Sequence, residues 1–210
     1  MTTTNLYVGH CSREEAKKAV SDWHYSKSTP KSTSFYFGVW EDGEFVGVVL
    51  FSAGANRYMT KQYGVAGEAL ELVRVALKDG HKSQVSRVVS IAIRLLRKEL
   101  PKLRLLVSYA DPDEGHDGGI YRAMGWQYQG QQRFQSYYEI NGKVVHKRSV
   151  LNRVGSSVLA KVREVFPDAR YVRKQGKHKY VLALDKEARQ LIKSFSVPYS
   201  EAKKTTALEA

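Results

Sequence analysis

Between Ala69 and Tyr109 the chain reads as strand, turn, long helix and strand, and this succession narrows the choice of fold more than any other feature. Ala69 to Leu77 is strand-like. Ser83 to Leu100 then places Val85, Val88, Val89, Ala92, Leu95 and Leu96 at helical spacing, beginning after Asp79-Gly80 and stopping at Pro101. Leu103 to Tyr109 is almost wholly apolar, the pattern of a strand buried on both faces. Upstream, Ser12 and Glu15 have the spacing of a capping box, and Ala16, Ala19, Val20 and Trp23 follow at helical spacing, which predicts a first helix ending near Asp22. Phe35 to Trp40 and Phe45 to Phe51 flank Glu41-Asp42-Gly43-Glu44, a predicted hairpin with an Asp-Gly turn. A polar, Gly-rich run from Pro112 to Gly119 leads to a short helix through Met124 that Gly125 ends. A second hairpin turns at Asn141-Gly142, followed by a predicted helix over Ser156 to Phe166, strands near Ala169 to Arg173 and Lys179 to Leu184, and a helix over Lys186 to Phe195. These elements define an α/β protein with a mixed central sheet flanked by helices.

At 210 residues, 42% of them hydrophobic, the chain suits one domain, here expected over residues 1–198, with 141–198 as a basic C-terminal α/β extension and 199–210 as a polar tail. No stretch approaches the roughly 20 apolar residues of a membrane helix, and Met1 to His10 lacks the layout of a secretion signal, so a soluble cytoplasmic protein without a membrane partner is expected. Cys11 is the only cysteine, which excludes an intramolecular disulfide and a multi-cysteine zinc module but leaves His and carboxylate ligands open. The net charge is +13. It concentrates in residues 141 to 181, where eleven lysines and arginines face only Glu164 and Asp168. Tyr171 and Tyr180 lie in that run, where rings can stack on bases while cations neutralise phosphates, so a polyanionic partner is indicated. A solvated basic face is the plainer alternative.

The run Gly119-Ile120-Tyr121-Arg122-Ala123-Met124-Gly125-Trp126 resembles the GNAT (GCN5-related) acyltransferases, which carry a tyrosine four residues before a Gly-aromatic pair. The resemblance implies a GNAT-like fold, acetyl-CoA or another acyl-CoA as cofactor, and a role for Tyr121 in returning a proton to the departing thiolate. A phenol with a pKa around 10 suits that task. The packing alternative is a core tyrosine satisfied by one hydrogen bond. GNAT proteins also bind pyrophosphate at a Gln/Arg-x-x-Gly-x-Gly/Ala turn before the long helix. This chain has Leu77-Lys78-Asp79-Gly80-His81-Lys82-Ser83-Gln84-Val85-Ser86-Arg87 there, with one glycine. A helix N-terminus still attracts anions, so Lys82, Ser83, Ser86 and Arg87 are the candidate phosphate ligands; alternatively Ser83 is an N-cap and Arg87 a surface residue.

Three stretches are more specific: Trp23-His24-Tyr25-Ser26-Lys27-Ser28, Leu106-Val107-Ser108-Tyr109-Ala110-Asp111 and Gly115-His116-Asp117-Gly118-Gly119-Ile120-Tyr121. In order and spacing they are similar to the Mom family of phage DNA-modification proteins. Gly38-Val39-Trp40, Gly54-Ala55, Glu71-Leu72-Val73-Arg74-Val75-Ala76-Leu77 and, more weakly, Gly176-Lys177-His178-Lys179-Tyr180-Val181 extend the likeness, while Gly125 departs from it. The resemblance implies a DNA-binding enzyme of the host cytoplasm that places a carbamoylmethyl group on the exocyclic amine of adenine and so protects DNA from restriction. His24, Tyr25, Ser108, Asp111 and Tyr121 are then the catalytic candidates. His24, Tyr25 and Asp111 are also candidate ligands for iron, and Arg170, Arg173, Lys174, Lys177 and Lys179 candidate contacts to DNA phosphates. Two other functions stay open: a GNAT N-acetyltransferase acting on a protein lysine or small-molecule amine, and a noncatalytic DNA-binding protein on a GNAT scaffold.

Overall fold

The computed structural model describes residues 4–54, 60–65 and 67–200. In chain order the elements are β1 (Leu6–His10), α1 (Arg13–Trp23), β2 (Thr33–Glu41), β3 (Glu44–Ser52), β4 (Ala69–Leu77), α2 (Val85–Glu99), β5 (Leu105–Ala110), α3 (Gly119–Ala123), β6 (Gln127–Gln131), β7 (Gln135–Ile140), β8 (Lys143–His146), α4 (Lys147–Val154), α5 (Leu159–Val165), β9 (Arg170–Lys174), β10 (His178–Ala183) and α6 (Lys186–Lys193). The chain forms two compact units, one drawn from Met1–Ala110, Gly118–Gly130 and Lys179–Ala210, the other from Asp111–Asp117 and Gln131–His178.

The first unit is built on a seven-stranded sheet in the order β1-β2-β3-β4-β5-β10-β6. Successive strand residues point to opposite faces, and the apolar sets divide accordingly. Val49, Phe51, Leu72 and Leu106 pack with Val88, Val89, Ala92 and Leu96 of α2. Val48, Leu50 and Ala76 meet Ala16, Ala19 and Val20 of α1, and Leu105, Val107 and Val181 meet Ala188 and Ile192 of α6. Leu105, Leu106 and Val107 are all fully buried, each contributing about 1.5–3 kcal/mol relative to an exposed side chain. The capping box at Ser12 and Glu15 forms as expected, and Asp42 and Gly43 turn the β2–β3 hairpin with positive φ of 51° and 86°.

Two local features shape the centre of this sheet. The β3–β4 register slips between Leu50, opposite Arg74, and Phe51, opposite Leu72, so that Val73 forms a bulge. The β4–β5 pair is parallel but short, joining only Ala69, Leu70 and Glu71 to Leu105, Leu106 and Val107.

The second unit has a three-stranded antiparallel sheet, β8-β7-β9. Tyr138 and Ile140 of β7 form its core with Val150 of α4, Val162 of α5 and Ala169. Asn141 and Gly142 make the β7–β8 turn at φ of 50° and 70°. The helix expected over Ser156 to Phe166 is shorter, and α4 was not expected at all. Of its eight residues only Val150 is buried, so its periodicity is faint, and its N-cap is His146, whose Nδ1 accepts the Arg148 N–H at 3.0 Å. Strands β1 and β6 also escaped the pattern reading: each is five residues long, and β6 (Gln127-Tyr128-Gln129-Gly130-Gln131) has a single apolar side chain. Ala55, one of the residues carrying the family likeness, and 201–210 of the polar tail lie outside the described residues.

Candidate active site at the split between two strands

Past Glu71 and Val107 the β4–β5 ladder stops, and the Leu72 carbonyl is satisfied by a side chain instead. Ser108, 1% exposed, places its Oγ 2.9 Å from that carbonyl and 2.8 Å from the Tyr121 hydroxyl. A carbonyl only accepts, so the proton order is fixed: Tyr121 donates to Ser108, and Ser108 donates to Leu72. Tyr121 is set by α3, whose N-terminal Gly118 has φ +77° and lies so close to the Tyr180 ring that a Cβ there would overlap it. The Tyr121 ring packs on Trp126 and Tyr180 at 5.1 and 5.2 Å. Burial raises its pKa, so at neutral pH it is a protonated phenol.

His24 ends α1 as its C-cap, and its ring lies 4.3 Å from that of Tyr25. The His24 Nδ1 accepts the Ser26 N–H at 3.1 Å. Tyr25 is 41% exposed. Beside these residues stand two groups that the sequence reading did not single out. Arg74, half-buried just beyond the bulge, donates to the carbonyls of Ser28 at 3.0 Å and Val73 at 2.6 Å. Burial lowers its pKa, opposed by the nearby Tyr25 and Glu71. Glu71 itself is the last β4 residue paired with β5 and adds to the upward shifts of both Tyr109 and Tyr121. The signal for both was present in the charged positions of an otherwise apolar strand, Glu71-Leu72-Val73-Arg74.

Asp111 belongs to the second unit. It caps a 3-10 turn at Pro112–Glu114, accepting the Asp113 N–H at 3.2 Å, and pairs with Lys177 at 2.9 Å. Among the described residues no three His, Cys, Asp or Glu side chains come together as a metal-binding group. A cage for iron is therefore not assembled from those types, and no step below passes through a metal.

The turn before α2 differs from expectation. Ser83 is not the N-cap; Gln84 is, without a side-chain cap bond. The amides of Lys82 and Ser83 donate instead to the Glu41 carboxylate, at 2.7 and 2.6 Å. Ser83 is buried, and Arg87 and Lys82 are exposed. Two of the backbone donors expected for a pyrophosphate are thus occupied, and the phosphate end of coenzyme A does not fit them. No step is derived through that group.

The basic candidates have internal partners too. Arg170 pairs with Glu139 at 2.7 Å, Arg173 lies over the Phe134 ring at 4.8 Å, and Lys174 approaches Asp113 at 3.6 Å. Lys179 is half-buried in the first unit and donates to the Tyr63 hydroxyl at 2.8 Å, and burial pushes its pKa down to about 8. Tyr180 is fully buried with its hydroxyl bonded to Arg122 at 3.0 Å, so its ring is not presented for stacking on a base. Tyr171 is 46% exposed. Lys143, Arg148 and Lys161 are exposed with no ion pair among the described residues.

The mixed sheet with helices on both faces defines a protein of the GNAT-like fold. A protein from Acinetobacter baylyi ADP1 solved as an acetyltransferase superposes with a TM-score of 0.51 at 11% identity, over 88% of this chain and 95% of that one. A Bacillus subtilis acetyltransferase in complex with CoA gives 0.49 at 12% identity, over 87% and 100%. The chain belongs to the Mom protein family, whose model matches residues 5–201. It is 25% identical over 211 residues to the methylcarbamoylase mom of Escherichia phage Mu, spanning 91% of this chain and 86% of the relative.

Proposed function

We propose that the chain is a transferase that modifies the exocyclic amine of adenine in DNA, forming carbamoylmethyladenine in the cytoplasm, and that DNA so marked escapes restriction. The observation that supports this best is the Tyr121–Ser108 pair, a protonated phenol held at the strand split of a Mom family chain. The name methylcarbamoylase, printed for the phage Mu relative, supports the identity of the transferred group.

The product bonds nitrogen to a methylene carbon, whereas acyl transfer would bond it to a carbonyl carbon, so the reaction needed is alkylation of the amine. That amine sheds a proton to a base as the bond forms, and the leaving group gains one, for which we assign Tyr121 as donor. Ser108 orients the phenol. Tyr25 and His24 are assigned to the base, which must leave its stack to be reached. Arg170 and Arg173 are assigned to flanking phosphates.

Expression in bacteria followed by mass spectrometry of digested DNA is expected to reveal an adenosine heavier by one carbamoylmethyl group. Unaltered nucleosides, together with acetylation of a supplied amine by purified protein and acetyl-CoA, would replace this reading with an ordinary acetyltransferase. Salt-sensitive DNA binding with no altered nucleoside would point instead to a binding protein. For the interface, replacing Arg170 and Arg173 with alanine is expected to flatten the slope of log K against log salt by about 2 units, near 0.9 per phosphate contact. An unchanged slope would remove both arginines from the DNA surface.

A further inference from the structure

We infer that Glu41 is the resident anion of the turn before α2, and that the protein does not grip a donor's pyrophosphate through the amides of Lys82 and Ser83. The approach to a helix N-terminus is a place where backbone N–H groups and the dipole favour negative charge, and in this chain a carboxylate of the same polypeptide holds the two amides just before the Gln84 N-cap. Glu41 is only 5% exposed and holds one amide with each oxygen, at 2.7 and 2.6 Å. The fit is reinforced from both sides of the β2–β3 turn. Lys82 Nζ reaches Asp42 at 3.0 Å, Asp42 also accepts the Asn5 N–H at 2.9 Å, and Lys78 pairs with Glu44.

Burial alone would raise the Glu41 pKa, but the amides of Lys82 and Ser83, the Ser83 hydroxyl and the nearby His81 outweigh it, so the carboxylate stays charged. The local charge then disfavours a second anion. Lys78 and Lys82 are already paired, with Glu44 and Asp42, so neither stands as a spare counter-charge for a second anion beside Glu41. Displacing Glu41 would strand a buried carboxylate, which is costly without a new partner. A donor's pyrophosphate is consequently not held by the amides of Lys82 and Ser83.

The test uses the full chain and two probes, coenzyme A and inorganic pyrophosphate, with calorimetry and amide NMR as readouts, so it stands apart from the question of which base is modified. In the unaltered protein the Lys82 and Ser83 amide resonances are expected to stay in place with either probe. In Glu41→Ala both are expected to move on adding pyrophosphate, with affinity at least tenfold above the unaltered protein. Glu41→Gln keeps a neutral acceptor for the turn if the alanine variant does not fold, and is expected to gain affinity in the same direction by a smaller factor. Movement of both amides in the unaltered protein, or folded variants that gain no pyrophosphate binding, would overturn the inference.

Discussion

Tyr121→Phe is expected to cut formation of the modified nucleoside by about 10²–10⁴-fold, the usual contribution of a positioned proton donor, while the protein folds nearly as before. The hydrogen-bond order explains why structure and activity should separate. The phenol donates into Ser108, but the buried Leu72 carbonyl is satisfied by the Ser108 proton, not by Tyr121. Losing the phenol therefore strands no buried acceptor other than one lone pair of a serine, at a cost of about 1 kcal/mol. Ser108→Ala is the contrasting change, because it leaves both the Leu72 carbonyl and the Tyr121 hydroxyl without this partner, costing about 1–3 kcal/mol for each group left unsatisfied. Product yields from Tyr121→Phe within a few-fold of the parent, measured by nucleoside mass spectrometry beside a thermal melt, would end the assigned role.

Gly176→Ala is expected to be the most damaging small substitution in the second unit. A Cβ at Gly176 would overlap the backbone carbonyl of Gln132 and crowd that of Arg133, and backbone cannot rotate aside as a side chain can. The same segments are joined by the Gln132 N–H to the Lys177 carbonyl at 2.9 Å and by Gln131 Nε2 to the Gly176 carbonyl at 2.8 Å. Overpacking of this kind costs about 1–3 kcal/mol, and a chain of this length loses roughly 2–4 °C of Tm for each kcal/mol. A fall of several degrees in a circular-dichroism melt is the expected reading. An unchanged melt would mean that the close approach is relaxed in solution.

The elements that could be read from the sequence were those whose local pattern and tertiary role agree. Ser12 and Glu15 cap α1, Asp42-Gly43 turns β2 into β3, and the helical stripe from Val85 to Leu96 packs on the sheet, all by interactions a few residues apart or by simple periodicity. The site was readable only where a motif marked it. Ser108 and Tyr121 stood in family-like stretches and meet across thirteen positions, but nothing local told that a β4 carbonyl waits for the serine. Glu41 reads as a turn residue in the sequence because its two partners lie 41 and 42 positions away. The burial of Tyr180 and Lys179 is hidden in the sequence for a related reason. A basic run looks like one surface on paper, whereas the strand carrying it enters the interior at His178 and alternates between faces.

The chain of hydroxyls ending on Leu72 has one more effect, on how the site recovers between cycles. A carbonyl has no hydrogen to return, so the wire is a dead end: Ser108 can swing its own hydrogen toward a freshly formed phenolate and soften its charge, but it cannot refill it. In the proposed reaction, a proton that Tyr121 gives up must therefore be restored from outside the Tyr121–Ser108–Leu72 chain.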